Sequence, residues 1–318
     1  MIRVVFAALA ALSLASGAAA AYPEKPIRFV IPSAAGGSPD VLMRILMQEL
    51  SAQLEVAIVI DNKPGGSYVI GTMEIVRARP DGYTLGYGNI LSLAINRSLL
   101  ASVPYDIERD LTLVSNCVRV FNLLAVNKNL PVNSVQELID HARKHPGKLV
   151  MASAGNGTTG HLGGELFKAM TGTYMLHVPY RGSPQAINDL IAGEANVMFD
   201  NLSSITPHAK AGRVRGLGVS GPRRSRVFPD LPAIGEVVPG YETVAWGGVI
   251  GPANLPKDVV ARLNAELKKA LASPVVQERY KQLDTETDGS SPEEFLGIAK
   301  RETVKWAEVV KRSGAKVD

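Results

Sequence analysis

The chain has little cysteine and few aromatic residues. Cys117 is the only cysteine among 318 residues, so no internal disulfide can form. Aromatic residues make up 6% of the sequence, and the charges are interspersed except in the run Arg223-Arg224-Ser225-Arg226. A nucleic-acid-binding face needs clustered basic residues with interleaved aromatics, so we expect no nucleic-acid partner. The apolar run around Cys117 predicts a buried strand thiol.

Long apolar runs are also missing after the N-terminus. A membrane-spanning helix needs ~20 consecutive apolar residues, and no segment after residue 21 approaches that length. The N-terminus carries Arg3, an apolar stretch from Val4 to about Ser16 and small residues at 17–21, which is typical of a secretory signal peptide. We therefore predict a signal peptide at 1–21, cleavage near Ala20 or Ala21, and export to the periplasm.

Motifs of catalysis are scarce. The sequence contains no G-x-S-x-G nucleophile elbow and no evident pair of catalytic carboxylates. His141 and His145 lie one helical turn apart, but no third metal ligand can be placed near them. We therefore predict no catalytic residues, no metal and no cofactor. An exported α/β enzyme that acts on a small carboxylate remains the alternative.

Strand-like and helix-like segments alternate along the chain, which is typical of an α/β protein with mostly parallel sheets. The Pro/Gly-rich stretch at 221–240 is predicted to be a connecting loop, and two helices are predicted to close the chain. The predicted strands lie at 27–31, 56–60, 83–87, 120–126, 149–151, 174–178, 195–199 and 246–250. One helix is predicted to begin at Ser38, and another is predicted to end near Arg79. Five further helices are predicted at 135–144, 184–192, 204–211, 256–272 and 292–313.

Two segments repeat one local pattern, in which an apolar strand breaks into a glycine-rich turn and then starts a helix. The turns lie at 32–40 and 153–161. A helix N-terminus favours an anion through unpaired backbone N–H groups and the helix dipole. Two such helix N-termini predict a site that binds a small organic anion between them. The net charge of +4 is also favourable for an anionic ligand.

The energetics require more than helix dipoles. One helix end contributes about 0.3–1 kcal/mol, whereas a micromolar dissociation constant needs about 8 kcal/mol. Charge-assisted hydrogen bonds of about 1.5–3 kcal/mol each must supply the rest. We expect them from loop N–H groups and from the hydroxyls of Ser38, Ser67, Ser153 and Thr158, in a cleft that closes and excludes water.

The segment 155–160 also matches G-x-G-x-x-G, the pattern of a dinucleotide site. That site needs an acidic residue ~20 positions further on, and the segment 174–180 contains none. The match is therefore interpreted as an anion loop. Among single residues, Asp40 is a helix-capping or a site residue, His161 packs against the loop or reaches the site, and Asp200 is placed to meet a ligand amine or hydroxyl.

A series of motifs covers the whole chain after the signal peptide. They are YPEKPI at 22–27, P-x3-GG-x2-D at 32–40, NKPG at 62–65, PDGYTL at 80–85, SAG at 153–155 with HL at 161–162, HVPYRG at 177–182, and Trp246. In this order they resemble the Bug-type solute receptors of tripartite tricarboxylate transporters.

The resemblance implies a two-lobed periplasmic-binding-protein fold of type II, the Venus-flytrap type, in which each lobe is a mostly parallel sheet flanked by helices. Lobe 1 would comprise 22–121 and 243–318, and lobe 2 would comprise 122–242. It also implies a monomer that delivers a small carboxylate to the large and small membrane subunits of a permease; a receptor that signals to a membrane sensor stays open.

The resemblance further implies that the ligand carboxylate lies against the loops 36–38, 65–67 and 153–158, partly through ordered water, with Asp200 at the other end of the ligand. The predicted ligand-binding residues are Gly36, Gly37, Ser38, Asp40, Gly65, Gly66, Ser67, Tyr68, Asn89, Ser153, Gly155, Thr158, His161, Tyr180 and Asp200.

The chain departs from the family at one of these loops. Relatives usually continue Gly-Ala-Gly-Gly after Asn-x-Pro, whereas this sequence continues with Gly65-Gly66-Ser67-Tyr68. A tyrosine at this point narrows the pocket or offers a ring for stacking, and Gly247-Gly248 after Trp246 returns some space. We hypothesise that Tyr68 lines the cleft and biases it toward a flat or aromatic carboxylate.

Overall fold

A computed structural model of the chain describes residues 22–313. The predicted signal peptide at 1–21 lies outside the described residues. Among the residues described, no helix is both long enough and apolar enough to cross a membrane.

The first part of the chain builds three parallel strands and the helices between them. Strands β1 and β2 pair in parallel, as do β1 and β3. The strands are β1 (Ile27–Ile31), β2 (Ile58–Asn62) and β3 (Thr84–Asn89), and the helices are α1 (Ser38–Leu54), α2 (Val69–Val76) and α3 (Asn96–Leu99). A 3-10 turn at Gly66–Tyr68 precedes α2, and a π-helical segment at Leu91–Ile95 precedes α3.

A second set of parallel strands follows the long strand β4 (Leu111–Asn127). Strand β5 pairs in parallel with β6 and β7, and both β7 and β8 run antiparallel to β4. The strands are β5 (Val150–Ser153), β6 (Leu176–Pro179), β7 (Val197–Asn201) and β8 (Val214–Val219). The helices are α4 (Val135–Lys144), α5 (Thr159–Thr171), α6 (Ser183–Ala192) and α7 (Leu202–Lys210), with a 3-10 turn at Ile234–Glu236.

The C-terminal part of the described chain returns to the first set of strands. Strand β9 runs antiparallel between β3 and β4, and β10 pairs antiparallel with β4. The elements are β9 (Val244–Pro252), α8 (Lys257–Ala272), α9 (Pro274–Gln282), β10 (Thr285–Thr287) and α10 (Pro292–Ser313).

The long strand β4 joins two lobes. It pairs with β9 from Leu111 to Phe121 and with β7 from Asn122 to Val126, and the path of strands is β2-β1-β3-β9-β4-β7-β5-β6. The first lobe is the half built on β1–β3, β9 and β10, and the second lobe is the half built on β5–β8. The predicted two-lobed α/β class is confirmed. Parallel pairing occurs within two sets of three strands, β1–β3 and β5–β7. The strands β9 and β4, which join the two sets, pair in antiparallel fashion.

Helices cover both faces of the first sheet. Leu46 of α1 and Leu267 of α8 are fully buried in one apolar cluster, and Phe295 and Trp306 of α10 lie in a cluster on the opposite face. Complete burial of such a side chain contributes about 1.5–3 kcal/mol. The predicted burial of Cys117 in a strand is confirmed, and that burial raises the pKa of its thiol to about 12.

Several elements differ from the sequence prediction. The helices at Val135–Lys144 and Pro292–Ser313 have the predicted bounds. The prediction of only two closing helices is wrong, because α9 and the short strand β10 lie between them. Strand β8 was not predicted, since glycines at its alternate positions hide the apolar pattern of a strand.

Candidate ligand-binding cleft

Three helices begin at one cleft between the lobes. Helix α1 starts after the extended Gly37, α5 starts after Thr158, and α6 starts after Gly182. All three of these residues line a cleft of about 700 Å³. Their unpaired backbone N–H groups and helix dipoles make its surface favourable for an anion.

The rest of the cleft surface is mainly apolar, with a few polar groups. Arg181 is the one charged side chain among the described residues that line it, and it is exposed. The hydroxyl of Ser33 is buried and interacts with the phenol of Tyr68. The apolar lining consists of Pro32, Ala34, Pro39, Pro64, Ile70, Leu91, Leu100, Ala154 and Pro179.

Asp40 holds the first glycine loop in place from behind. Its Oδ2 accepts the N–H of Gly36 at 2.9 Å, its carboxylate pairs with Arg44 at 2.9 Å, and its Oδ1 accepts Asn62 Nδ2 at 3.0 Å. Burial acts to raise the pKa of Asp40, but these hydrogen bonds lower it overall. Asp40 is therefore a charged brace for the loop.

The loop before α2 is a tight left-handed turn. Residues 65–68 all have positive φ, and the values for Ser67 and Tyr68 are 49° and 73°. A left-handed conformation costs a side-chain-bearing residue about 1–2 kcal/mol. The turn is held by Asn96, whose Nδ2 donates to the Ser67 carbonyl at 2.8 Å. The Ser67 hydroxyl donates to the carbonyl of Asn156 at 3.4 Å, which joins the two lobes across the cleft.

The second glycine loop is braced by its own side chains. Thr158 Oγ1 donates to the Gly155 carbonyl at 2.8 Å, and the N–H of Gly157 donates to His161 Nδ1 at 3.0 Å. Ser153 Oγ hydrogen-bonds His177 Nε2 at 2.7 Å. Burial lowers the pKa of His161 to about 4, so its imidazole is neutral at pH 7 and its Nδ1 can accept.

His161, Glu165 and His177 form a cluster in which potential metal-ligand atoms lie within 4.8 Å of one another. The two imidazoles are stacked, with their ring centroids 4.0 Å apart. The Glu165 carboxylate is paired with Lys168 at 2.7 Å. A cation bound to this carboxylate would therefore have to displace Lys168. The cluster acts as an internal support for the cleft.

A second, much smaller cavity of about 40 Å³ lies behind the cleft and contains Asp200. The carboxylate of Asp200 accepts Ser183 Oγ at 2.7 Å and Ser204 Oγ at 2.5 Å. Burial raises its pKa to about 6 although these hydrogen bonds act in the other direction. Asn122 and Asn201 also line this cavity, and the Oδ1 of each lacks a hydrogen-bond partner in the described chain.

The structure separates the predicted ligand-binding residues into three groups. Those that line the cleft are Gly37, Gly65, Gly66, Ser67, Tyr68, Gly155, Thr158 and Tyr180. Those that line the small cavity are Ser38, Asn89, Tyr68, Thr158 and Asp200. Those that line neither are Gly36, Asp40, Ser153 and His161, which brace the loops from behind.

Comparison with protein families identifies the chain. The family model described as "Tripartite tricarboxylate transporter family receptor" matches residues 42–315. The chain belongs to this receptor family. A relative from Pseudomonas sp. strain P51, the UPF0065 protein in the tcbD-tcbE intergenic region, is 38% identical over 292 residues, which are 91% of this chain and 87% of that protein.

Two solved structures of the receptor family superimpose over nearly the whole chain. Rpa4515 of R. palustris with adipate is 36% identical, with a TM-score of 0.91 over 93% of this chain and 100% of that one. The periplasmic binding protein BugD is 32% identical, with a TM-score of 0.89 over 93% of this chain and 99% of that one. The predicted membership in the Bug-type receptors is confirmed.

Tyr68 is an unusual residue for the left-handed turn at 65–68. Tyr68 takes a φ of 73°, which glycine adopts without strain. A tyrosine here must therefore be held by its surroundings. Its ring packs with the cluster that contains Leu91 and Trp246.

Arg181 is the main feature of this receptor cleft that the sequence analysis did not select. It lies in the quoted motif HVPYRG, directly after the predicted site residue Tyr180. Its position in a turn between a strand and a helix start could have identified it as a cation that lines the cleft. Asn156, Ser183 and Ser33 also line the cleft without having been predicted.

Proposed function

We propose that this receptor captures a small organic carboxylate between its two lobes and delivers it to a tripartite tricarboxylate-type secondary transporter. The permease would consist of a large and a small membrane subunit, and the receptor would work as a monomer in the periplasm after loss of residues 1–21. The chain would bind its ligand without turning it over.

The observation that carries the proposal is the electrostatic character of the cleft. Three helix N-termini and Arg181 face it, and no acidic side chain is among the described residues that line it. Such a surface stabilises a carboxylate and disfavours a cation. That the related Rpa4515 carries adipate supports a carboxylate as the ligand class.

The lobe boundaries form part of the proposal. We place lobe 1 at 22–121 and 243–318 and lobe 2 at 122–242. The exchange of strand partners between Phe121 and Asn122 and the start of β9 at Val244 support these limits. Ligand capture then requires contacts that form only when the lobes approach.

Native mass spectrometry of the protein purified without refolding tests this function, together with a thermal-shift panel of mono-, di- and tricarboxylates, amino acids and aromatic acids. We expect one-to-one binding of a carboxylate, with the ligand recovered unchanged after prolonged incubation. Release of a chemically altered product would instead support an exported enzyme. A panel without any stabilising carboxylate would contradict the proposal.

A further inference from the structure

Tyr68 stands between the cleft and the small cavity. Both cavities are lined by Tyr68, and it has the largest side chain of the residues that they share. The others that they share are Pro39, Leu91, Ala154, Thr158 and Ser183. The aromatic ring is thus the bulkiest group in the wall between the two spaces.

The two spaces differ in charge. The cleft has Arg181 and no acidic side chain among its described lining residues. The small cavity has Asp200, a residue that is 4% exposed and whose carboxylate already accepts hydrogen bonds from Ser183 and Ser204. A ligand in the cleft therefore meets the cation and is screened from the anion.

We propose that Tyr68 is a partition that keeps Asp200 out of the ligand site, so that this receptor selects carboxylates without an ammonium group. This inference rests on the proposed function for its ligand class. An amino acid in the cleft would lose the hydration of its ammonium group and find no carboxylate to replace it, a cost that its non-amino analogue avoids.

The proposal changes the role expected of Asp200. The family resemblance implied that Asp200 contacts the far end of the ligand. With the tyrosine in place, Asp200 instead fixes the starts of α6 and α7 through Ser183 and Ser204. Removal of the ring would join the cavities and expose the carboxylate to the ligand.

Glycine is the decisive substitution, because it is compatible with the backbone of residue 68. Tyr68→Gly relieves the left-handed strain while it opens the wall. Tyr68→Phe is the matched control, since it keeps the ring and removes only the hydroxyl. Tyr68→Gly combined with Asp200→Asn keeps the enlarged cavity but removes its negative charge.

Calorimetric titration with two matched pairs, glutarate with glutamate and succinate with aspartate, reads out the selectivity. We expect the wild type and Tyr68→Phe to bind the non-amino acid of a pair at least tenfold more tightly. In Tyr68→Gly the preference should fall by tenfold or more, and Asp200→Asn in that background should restore it. Equal selectivity in the wild type and Tyr68→Gly, or a wild-type preference for the amino acid, would overturn the partition.

A readout without ligand keeps the partition separate from the proposed function. Carboxyl NMR titration of Asp200 should show a lower pKa in Tyr68→Gly than in the wild type, because water then reaches the carboxylate. An unchanged titration would reject the partition even if carboxylates bind. A lowered pKa with no carboxylate binding in the wild type would support the wall and reject the proposed ligand class.

Discussion

Replacement of Gly157 by alanine tests whether the lobes must touch for a ligand to be held. Gly157 belongs to the glycine loop of the second lobe, and a Cβ atom there would lie 2.2 Å from Leu99 Cδ2 and 2.8 Å from Leu91 Cδ1. Both leucines belong to the first lobe. The added methyl group would therefore act as a spacer between the two lobes.

The magnitude follows from the overlap. The contact with Leu99 is roughly 1.3 Å shorter than the ~3.5 Å at which carbon atoms pack. Leu99 is 3% exposed, so it cannot move aside freely. Overpacking of this kind costs about 1–3 kcal/mol. If the cost is paid only in the closed arrangement, the dissociation constant rises about 5- to 150-fold.

Gly172 provides a matched control. Both glycines have positive φ, 79° for Gly157 and 62° for Gly172, but a Cβ on Gly172 has no atom within 4 Å. Each alanine variant should lose about 1–2 kcal/mol of unfolding free energy from left-handed strain. Only Gly157→Ala should also lose affinity.

The assay is calorimetric titration of both variants with the best carboxylate of the panel, with urea unfolding to measure stability. Leu99→Ala in the Gly157→Ala background removes the atom that the methyl group meets, so it should recover part of the lost affinity. The reasoning would be refuted if Gly157→Ala bound the carboxylate as tightly as the wild type. It would also be refuted if Gly157→Ala and Gly172→Ala lost the same amount of affinity.

Three further predictions concern single side chains. Burial raises the pKa of Asp200 from 3.8 to about 6, so the stability that its protonated form contributes is fully present below about pH 4 and is lost as the pH rises through 6. The unfolding free energy of Asp200→Asn, measured with urea, should therefore rise by roughly 3 kcal/mol relative to that of the wild type between about pH 4 and pH 8. A difference between the two proteins that does not change with pH would contradict this prediction. Arg181→Gln should weaken carboxylate binding about two- to fivefold at low salt and less at high salt, whereas the exposed Arg213→Gln should leave the titration unchanged. Cys117, with a pKa raised to about 12 by burial, should react with a thiol reagent only as fast as the protein unfolds, and rapid labelling of the folded protein would show that the strand is accessible.

The helices of this fold were easier to predict than the connections between strands. Helix α4 has a clear start at Ser134, which accepts the N–H of Glu137, and a stop at Pro146-Gly147. Strand β4 was predicted as two separate pieces, a buried strand around Cys117 and a strand at 120–126, because nothing local to its sequence shows that it continues from one sheet into another. Pairing over such distances depends on tertiary contacts that a local pattern does not carry.

The candidate site also combines features that a local sequence pattern predicts with features that depend on tertiary contacts. The glycine loops were found because a strand, a turn and a helix start leave a local pattern. For Asp40 and His161 the sequence left two roles open, and the choice between them depends on a bond to the N–H of a loop residue, Gly36 or Gly157. The separation of Asp200 from the cleft depends on where the ring of Tyr68 lies, which follows from packing alone.

The long strand β4 has a consequence for how the receptor unfolds. Residues Leu111–Phe121 pair with β9 in one lobe, and the residues that follow pair with β7 and β8 in the other. Neither sheet is complete without β4. If one lobe unfolds and β4 with it, the strands of the other lobe lose a pairing partner. We therefore expect the two lobes to unfold together, and calorimetry should record a single heat-absorption peak.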